Sequence, residues 1–190
     1  MQLFPVIDCH AHLPDGQTGN GQAALRRLLT RCEQYSVEAI VFSVFCELDE
    51  GKLEVALEPV EAVIGQFKSV RVGFSFGICP PIEPIRSALL RQQLEAANRI
   101  ARQLAQDGRI AAIGEVGLDY YWPLVEFLKG RGVTNWEQIS SQIQNHRDQL
   151  LNEPWVQDCL ATQTAVFREA IHAASVTELP LVIHGRDAYE

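Results

Sequence analysis

The sequence predicts an α/β protein built on a parallel β-sheet. Five short apolar segments typical of buried strands recur along its 190 residues, and segments with a helical spacing of apolar residues separate them. Strands joined by helices form parallel sheets with right-handed crossovers. The lengths of these strands and helices suit either a doubly wound sheet or part of a (β/α)8 barrel.

The first predicted elements are two strands, each followed by a helix. The apolar run FPVID, residues 4–8, predicts the first strand, and residues 21–35 have the apolar spacing of a helix. VEAIVFSVF, residues 37–45, is rich in the branched and aromatic residues that favour strands. An amphipathic helix is predicted over residues 52–67, where Pro59 is expected to split or kink it.

The same alternation continues through the middle of the chain. Residues 70–78 predict a third strand, and residues 85–106 predict a long helix. Gly108 suits the left-handed backbone that ends such a helix. Residues 110–118 predict a fourth strand, and a helix over residues 162–175 then leads toward the end of the chain.

The last predicted strand is PLVIH, residues 180–184, and a long segment that precedes it breaks the alternation. About forty residues separate the fourth strand from its helix, where two to six are usual. We interpret residues 120–160 as a helical insertion on the face where the strands end, either a lid or an interface. Its three tryptophans predict packing within that lid, with a platform for stacking nucleic-acid bases as the alternative.

Composition and charge narrow the class of protein. A formal net charge of −8 argues against a protein that coats nucleic acid by charge alone. An enzyme of this charge can still bind a phosphodiester at its site, through a metal ion and a few arginines. The five cysteines form no CxxC pair, which favours a reduced, cytoplasmic protein. No signal peptide and no membrane span of ~20 apolar residues are visible. We therefore expect a cytoplasmic protein without a membrane partner; the oligomeric state stays open.

His10 and His12 are the first candidate metal ligands. They stand two residues apart at the end of a predicted strand, so both side chains point to the same side. Two imidazoles fixed in this way can bind one divalent metal ion. The alternative is a loop pair that hydrogen-bonds to Asp8 or Asp15.

Glu115 is the second candidate, because it interrupts the apolar run of the fourth strand. A buried carboxylate is costly without a metal or a cation beside it. A ligand role, bridging two metals or binding one, and a structural role as a helix cap or arginine partner fit the motif equally well. Asp119 is expected to cap or support rather than to bind metal.

The third candidate motif is LPLVIHGRDAYE, residues 179–190. His184 closes the fifth strand, and Arg186 follows two residues later. The carboxyl ends of parallel strands meet on one face, which holds the chemistry of β/α proteins. The three motifs therefore predict a metal site on that face.

The segments DCHAHL, GEVGLDYY and LPLVIHGRDAYE together make the chain resemble the TatD family of metal-dependent hydrolases, within the amidohydrolase superfamily of (β/α)8 barrels. The resemblance implies that residues 1–190 are an incomplete barrel domain holding the first five βα units. It also implies one or two divalent ions (Mg, Mn or Zn) and DNA as substrate, with hydrolysis of its phosphodiester bonds. By the family pattern, His10 and His12 hold one metal, Glu115 binds or bridges, His184 holds the second, and Arg186 contacts phosphate.

The sequence also departs from the family pattern. Cys9 and Pro14 replace other residue types, and the insertion is longer than usual. The family's general-base aspartate follows an eighth strand, beyond the chain end, so this chain alone is expected to be inactive. Two alternatives remain: another superfamily hydrolase acting on small esters or amides, and an inactive fragment that acts as a binding module.

Overall fold

The computed structural model describes residues 6–12, 19–45 and 58–188. Five β-strands lie within these ranges, and they are parallel to one another: β1 (Val6–His12), β2 (Val37–Phe45), β3 (Arg71–Gly77), β4 (Ala112–Asp119) and β5 (Leu181–Arg186). Because all strands run the same way, their carboxyl ends meet at one edge of the sheet.

Helices connect these strands. In chain order they are α1 (Gly19–Gln34), α2 (Glu58–Ile64), α3 (Ser87–Gln106), α4 (Tyr121–Gly130), α5 (Trp136–Leu151) and α6 (Pro154–Thr177). Among the residues that the structure describes, a single helix lies between neighbouring strands except after β4, where three helices follow one another before β5. The long connection after β4 is therefore helical.

The strand order decides between the two architectures that the sequence allowed. The strands lie side by side in the order β1-β2-β3-β4-β5, and the sheet curls into a half-barrel. In a doubly wound sheet the spatial order of the strands reverses at a switch point. No such reversal of order occurs among the described strands. The prediction of a partial (β/α)8 barrel is confirmed.

Four predicted boundaries differ from the structure in ways that matter. β5 continues two residues beyond His184 to Arg186, and α6 begins at Pro154 rather than at residue 162. The other two lie in the first half of the chain. The first strand was predicted to end at residue 8, but β1 continues to His12 because its backbone keeps pairing with β2 as far as Ser43. The helix predicted over residues 52–67 begins at Glu58, so Pro59 stands at its start, where a missing N–H costs nothing. Residues 46–57 lie outside the described part. Gly108, with φ 66°, ends α3 as predicted.

The main hydrophobic core fills the space between the outer face of the sheet and the helices that cover it. Phe42 of β2, Phe76 of β3 and Val116 of β4 are almost completely buried there, against Leu29 of α1 and Val166 of α6. Burying each such side chain stabilises the fold by about 1.5–3 kcal/mol. This core holds the helices against the sheet and leaves the strand ends to carry polar residues.

A second, smaller core lies within the insertion. Seven buried apolar residues from α4, α5 and the start of α6 form it: Leu124, Val125, Leu128, Ile139, Ile143, Leu150 and Val156. Further along α6, Val166, Ala170 and Ala174 belong to the main core instead. The single helix α6 therefore takes part in both cores. None of the helices in the described ranges is long and apolar enough to span a bilayer.

Candidate active site

Three of the predicted site residues meet near the carboxyl ends of the strands. Glu115 of β4 is only 5% exposed, and its Oε1 contacts Nδ1 of His184 on β5. Its other oxygen, Oε2, lies 3.8 Å from Nε2 of His12, the last residue of β1. The side chain of His10 lies outside the described part, although its backbone belongs to β1. One buried carboxylate thus connects side chains from three strands.

Irregular strand pairing occurs at the two motifs that carry these residues. The pairing of β1 with β2 shifts register between Asp8 and Ala11, and that of β4 with β5 shifts between Ile113 and Val116. Bulges of this kind redirect side chains and are common beside active sites. The β4 shift falls at Glu115, and this β1 shift falls at residues 9–10, just before His12.

A close backbone approach brings β4 and β5 together beside the site. Gly117 pairs with His184, and its φ of 155° lies in a region that L side chains rarely adopt. A Cβ atom at this position would overlap the carbonyl oxygen of His184. Only glycine permits this approach, so the GEVGLD motif contains the residue that sets the distance between the strands.

Asp119, at the end of β4, joins the site to the insertion. Its Oδ1 accepts hydrogen bonds from the backbone N–H groups of Tyr121 (3.0 Å) and Trp122 (2.9 Å), at the start of α4. Its Oδ2 lies 3.1 Å from Nε2 of His184. The expected capping role is therefore present. The same carboxylate also orients the histidine ring.

Gln163 of α6 fixes the backbone of Asp119. Its side chain is completely buried, and its Oε1 accepts a hydrogen bond from the Asp119 N–H at 2.9 Å. Its Nε2 donates to the carbonyl oxygens of Asp119 and Pro81, each at 2.9 Å. One amide thereby satisfies three buried backbone groups, and it ties the end of β4 to a helix and to the loop after β3.

Arg186 lies at the last position of β5, beside the insertion. Its Cζ is 5.3 Å from the ring centre of Tyr121 and 5.8 Å from that of Trp122. These distances are within the range of cation–π attraction. The backbone N–H of Tyr120 also donates to the Arg186 carbonyl oxygen at 2.9 Å. The residue predicted to contact phosphate is thus an exposed cation supported by two aromatic rings.

The buried thiols do not add a nucleophile to the site. Burial, followed by the nearby charges of Asp158 and Glu83, raises the pKa of Cys159 to about 12. Burial, followed by the charge of Asp8, raises the pKa of Cys32. Because the thiolate is the reactive form, both groups stay protonated and unreactive near neutral pH.

The donor atoms at the site are those that a divalent cation takes, imidazole nitrogen and carboxylate oxygen. In the structure they contact one another directly, and no group of three or more His, Cys, Asp or Glu residues that could hold a metal ion is found within the described ranges. A neutral imidazole donates from one nitrogen only, yet both nitrogens of His184 face carboxylates. One imidazole thus faces two carboxylates, and this donor set fits a cation site by its chemistry.

A comparison with protein-family models gives the family. The model described as TatD related DNase matches residues 7–190. The chain belongs to this TatD family. No curated protein and no solved structure matches it. The three motifs of this TatD-family chain all lie within the matched span, and family membership indicates a hydrolase.

Sequence reasoning missed Gln163 in this TatD-family chain. Its partner Asp119 is 44 residues away, and no local pattern reports a contact over that separation. One signal was present, because Gln163 stands on the buried stripe of α6 between Cys159 and Val166. A glutamine among apolar residues at helical spacing indicates a buried hydrogen-bonding partner.

Proposed function

We propose that this protein is a divalent-metal-dependent deoxyribonuclease that hydrolyses phosphodiester bonds of DNA. The observation that supports this most directly is the meeting of His12, Glu115 and His184 from three strands of a TatD-family half-barrel. This edge of a parallel barrel, where the carboxyl ends of the strands meet, is the usual place of its chemistry. The proposal therefore rests on membership of the TatD family and on the meeting of these side chains, and not on the net charge of the chain.

The residues proposed to hold the metal are His10, His12, Glu115 and His184. A divalent ion bound there would supply Lewis-acid chemistry and stabilise the negative charge that develops on the phosphoryl oxygens. Glu115, almost fully buried, fixes the position of the negative charge that attracts the ion. Asp119 holds the ring of His184 in one orientation through its Nε2 atom, as carboxylates do for many metal-binding histidines.

Arg186 is proposed to contact a phosphate of the substrate. Its guanidinium lies over two aromatic rings, which restricts its motion, and arginine recognises phosphate through paired N–H groups. A local cation of this kind offsets the net charge of −8 close to the strand ends. The family-level hydrolase activity and this cation together favour a phosphodiester over a neutral ester.

The test uses protein expressed from its full reading frame, assayed on labelled DNA with Mg²⁺, Mn²⁺ or Zn²⁺. We expect hydrolysis that disappears with a chelator and that falls by on the order of 100-fold or more in Glu115→Gln, since even residues that only support a metal ligand cost 10–100-fold. Metal titration by calorimetry should show that Glu115→Gln also binds the metal ion more weakly than the unaltered protein. Glu95→Gln, an exposed carboxylate on α3, is the matched control and should behave as the unaltered protein.

Two results would overturn the proposal. One is DNA hydrolysis that persists in the chelator or in Glu115→Gln. The other is hydrolysis of small esters or amides, dependent on Glu115, without any cleavage of DNA. The second result would assign the chain to the other superfamily chemistry that its sequence allows.

A further inference from the structure

The insertion presents a group of aromatic rings and cations beside the candidate site. Trp136, the first residue of α5, has its ring centre 6.0 Å from that of Trp122, and the two rings meet edge to face at 78°. Tyr121 meets Trp122 in the same manner, at 5.8 Å and 76°. Arg186 lies over the rings of Tyr121 and Trp122. These four residues are called the rim aromatic cluster below.

Trp136 is not part of the core of the insertion. Its side chain is 51% exposed, whereas Trp122 and Trp155 pack against the buried residues of the smaller core. A half-exposed indole beside a cation is typical of a binding surface, because a ring left in water gains most when a ligand covers it. The sequence predicted packing for all three tryptophans. In the structure Trp122 and Trp155 pack against the smaller core, whereas Trp136 is half-exposed.

The rim aromatic cluster is joined to the candidate site through one side chain. Asp119 accepts hydrogen bonds from the backbone of Tyr121 and Trp122 through Oδ1 and contacts His184 through Oδ2. Arg186 is only two residues beyond His184 on β5. The cluster therefore lies next to His184, which in turn contacts Glu115.

The charges around the cluster select the class of ligand. Arg186 is exposed at the end of β5 and places a positive charge over the rings of Tyr121 and Trp122. Lys129 lies over Trp136 at 5.5 Å and over Trp122 at 5.9 Å, although its Nζ is also paired with Glu126 at 2.8 Å. Exposed rings with a cation beside them are the combination that binds unpaired bases and their phosphates.

We propose that the rim aromatic cluster binds unpaired nucleotides of single-stranded DNA, with a base stacked on Trp136 and a phosphate paired with Arg186. This inference rests on the proposed function, because it assigns to the insertion the part of the same substrate that lies next to the scissile bond. Duplex DNA hides its base faces and offers this cluster little to stack on. The insertion is thereby a substrate-binding element that favours unwound ends.

The test measures binding in a chelator, so that no hydrolysis occurs. Oligo(dT) about 12 nucleotides long, within the usual span of such sites, is titrated into the full-length protein, and binding is followed by tryptophan fluorescence and by anisotropy of a labelled strand. We expect fluorescence quenching and a Kd that rises about 5- to 150-fold in Trp136→Leu, the range that one stacked base supplies. Trp136→Phe, which keeps a ring, should restore most of the affinity. Arg186→Ala should lower the salt dependence of log Kd by about one unit.

Tyr35→Leu is the matched control, because Tyr35 is an aromatic residue that is 71% exposed in the connection from α1 to β2, at the opposite end of the strands. Its affinity should be that of the unaltered protein. Equal binding of duplex and single-stranded DNA, or an unchanged Kd in Trp136→Leu, would overturn the proposal. Trp136-dependent binding without any metal-dependent cleavage would defeat the proposed function alone. Cleavage with no dependence on Trp136 would defeat this inference alone.

Discussion

Gln163 is the residue on which the position of the end of β4 most depends. Its amide is completely buried and bonds both the N–H and the carbonyl oxygen of Asp119, together with the carbonyl oxygen of Pro81. No water can replace these bonds without opening the core. A side chain of similar length but without an amide would leave three buried backbone groups unpaired, and each unpaired group costs free energy.

We therefore expect Gln163→Leu to lower the free energy of unfolding by about 1–3 kcal/mol or more. Urea denaturation followed by far-ultraviolet circular dichroism measures this change. Gln149→Leu, at an exposed position of α5, is the control and should leave stability nearly unchanged. Equal stability of the two variants would show that the amide of Gln163 does not hold β4 in place.

Asn135 controls the start of α5, the helix that carries Trp136. Its Oδ1 accepts a hydrogen bond from the backbone N–H of Gln138 at 3.1 Å, which satisfies one of the donors that a helix leaves free at its first turn. Glu137 in the first turn adds a favourable charge there. The orientation of Trp136 at the first helical position therefore depends on this cap.

Asn135→Ala is expected to lower the free energy of unfolding by about 1 kcal/mol, the usual cost of losing an N-cap side chain. Asn135→Ser should recover most of it, because the serine hydroxyl accepts the same bond. Thermal and urea unfolding of the three proteins measure the difference. Asn145→Ala, which removes an exposed amide on the same helix, provides the comparison. A loss as large in Asn145→Ala would argue against a specific cap at Asn135.

At the scale of the whole molecule, the described part of the chain holds two hydrophobic cores of different size, and this predicts two levels of local stability. The smaller core lies under the insertion and contains Ile139, which is completely buried. Fewer apolar contacts hold this part of the molecule together, and regions of that kind open with a lower free energy than the main core.

Ile139→Ala should destabilise the protein by about 2–5 kcal/mol through the cavity it leaves, and the effect should be local. Hydrogen exchange followed by mass spectrometry should show faster exchange in α4 and α5 and little change in β3 and α3. Val166→Ala, within the main core, should instead speed exchange across the sheet. A uniform change in both variants would mean that the two cores unfold as one unit.

Much of this architecture could be predicted from the sequence, because apolar periodicity is a local signal. β2 has the predicted bounds, and the insertion predicted over residues 120–160 is helical. The order of the strands is not local, so periodicity left two architectures open, and the family resemblance was needed to favour the barrel. His12, Glu115 and His184 could be chosen because each interrupts or ends an apolar run. Their meeting then follows from the parallel strand direction.

The remaining features of the site depend on contacts between distant parts of the chain. The bond between Gln163 and Asp119 joins a helix to a strand end, and the contact of Asp119 with His184 crosses between two strands. The register shifts in β1 and β4 arise from pairing with neighbouring strands. No pattern within a single segment reports any of these, which is why sequence reasoning limited Asp119 to a capping or supporting role.

Helix α6 has a mechanical consequence for the site. It is 24 residues long, about 36 Å at the usual rise, and it runs from the smaller core at Val156 to the main core at Ala174. Gln163 lies between these ends and holds Asp119. Movement of the insertion is therefore transmitted to β4 through one continuous helix, so we expect the insertion and the carboxyl ends of the strands to move together.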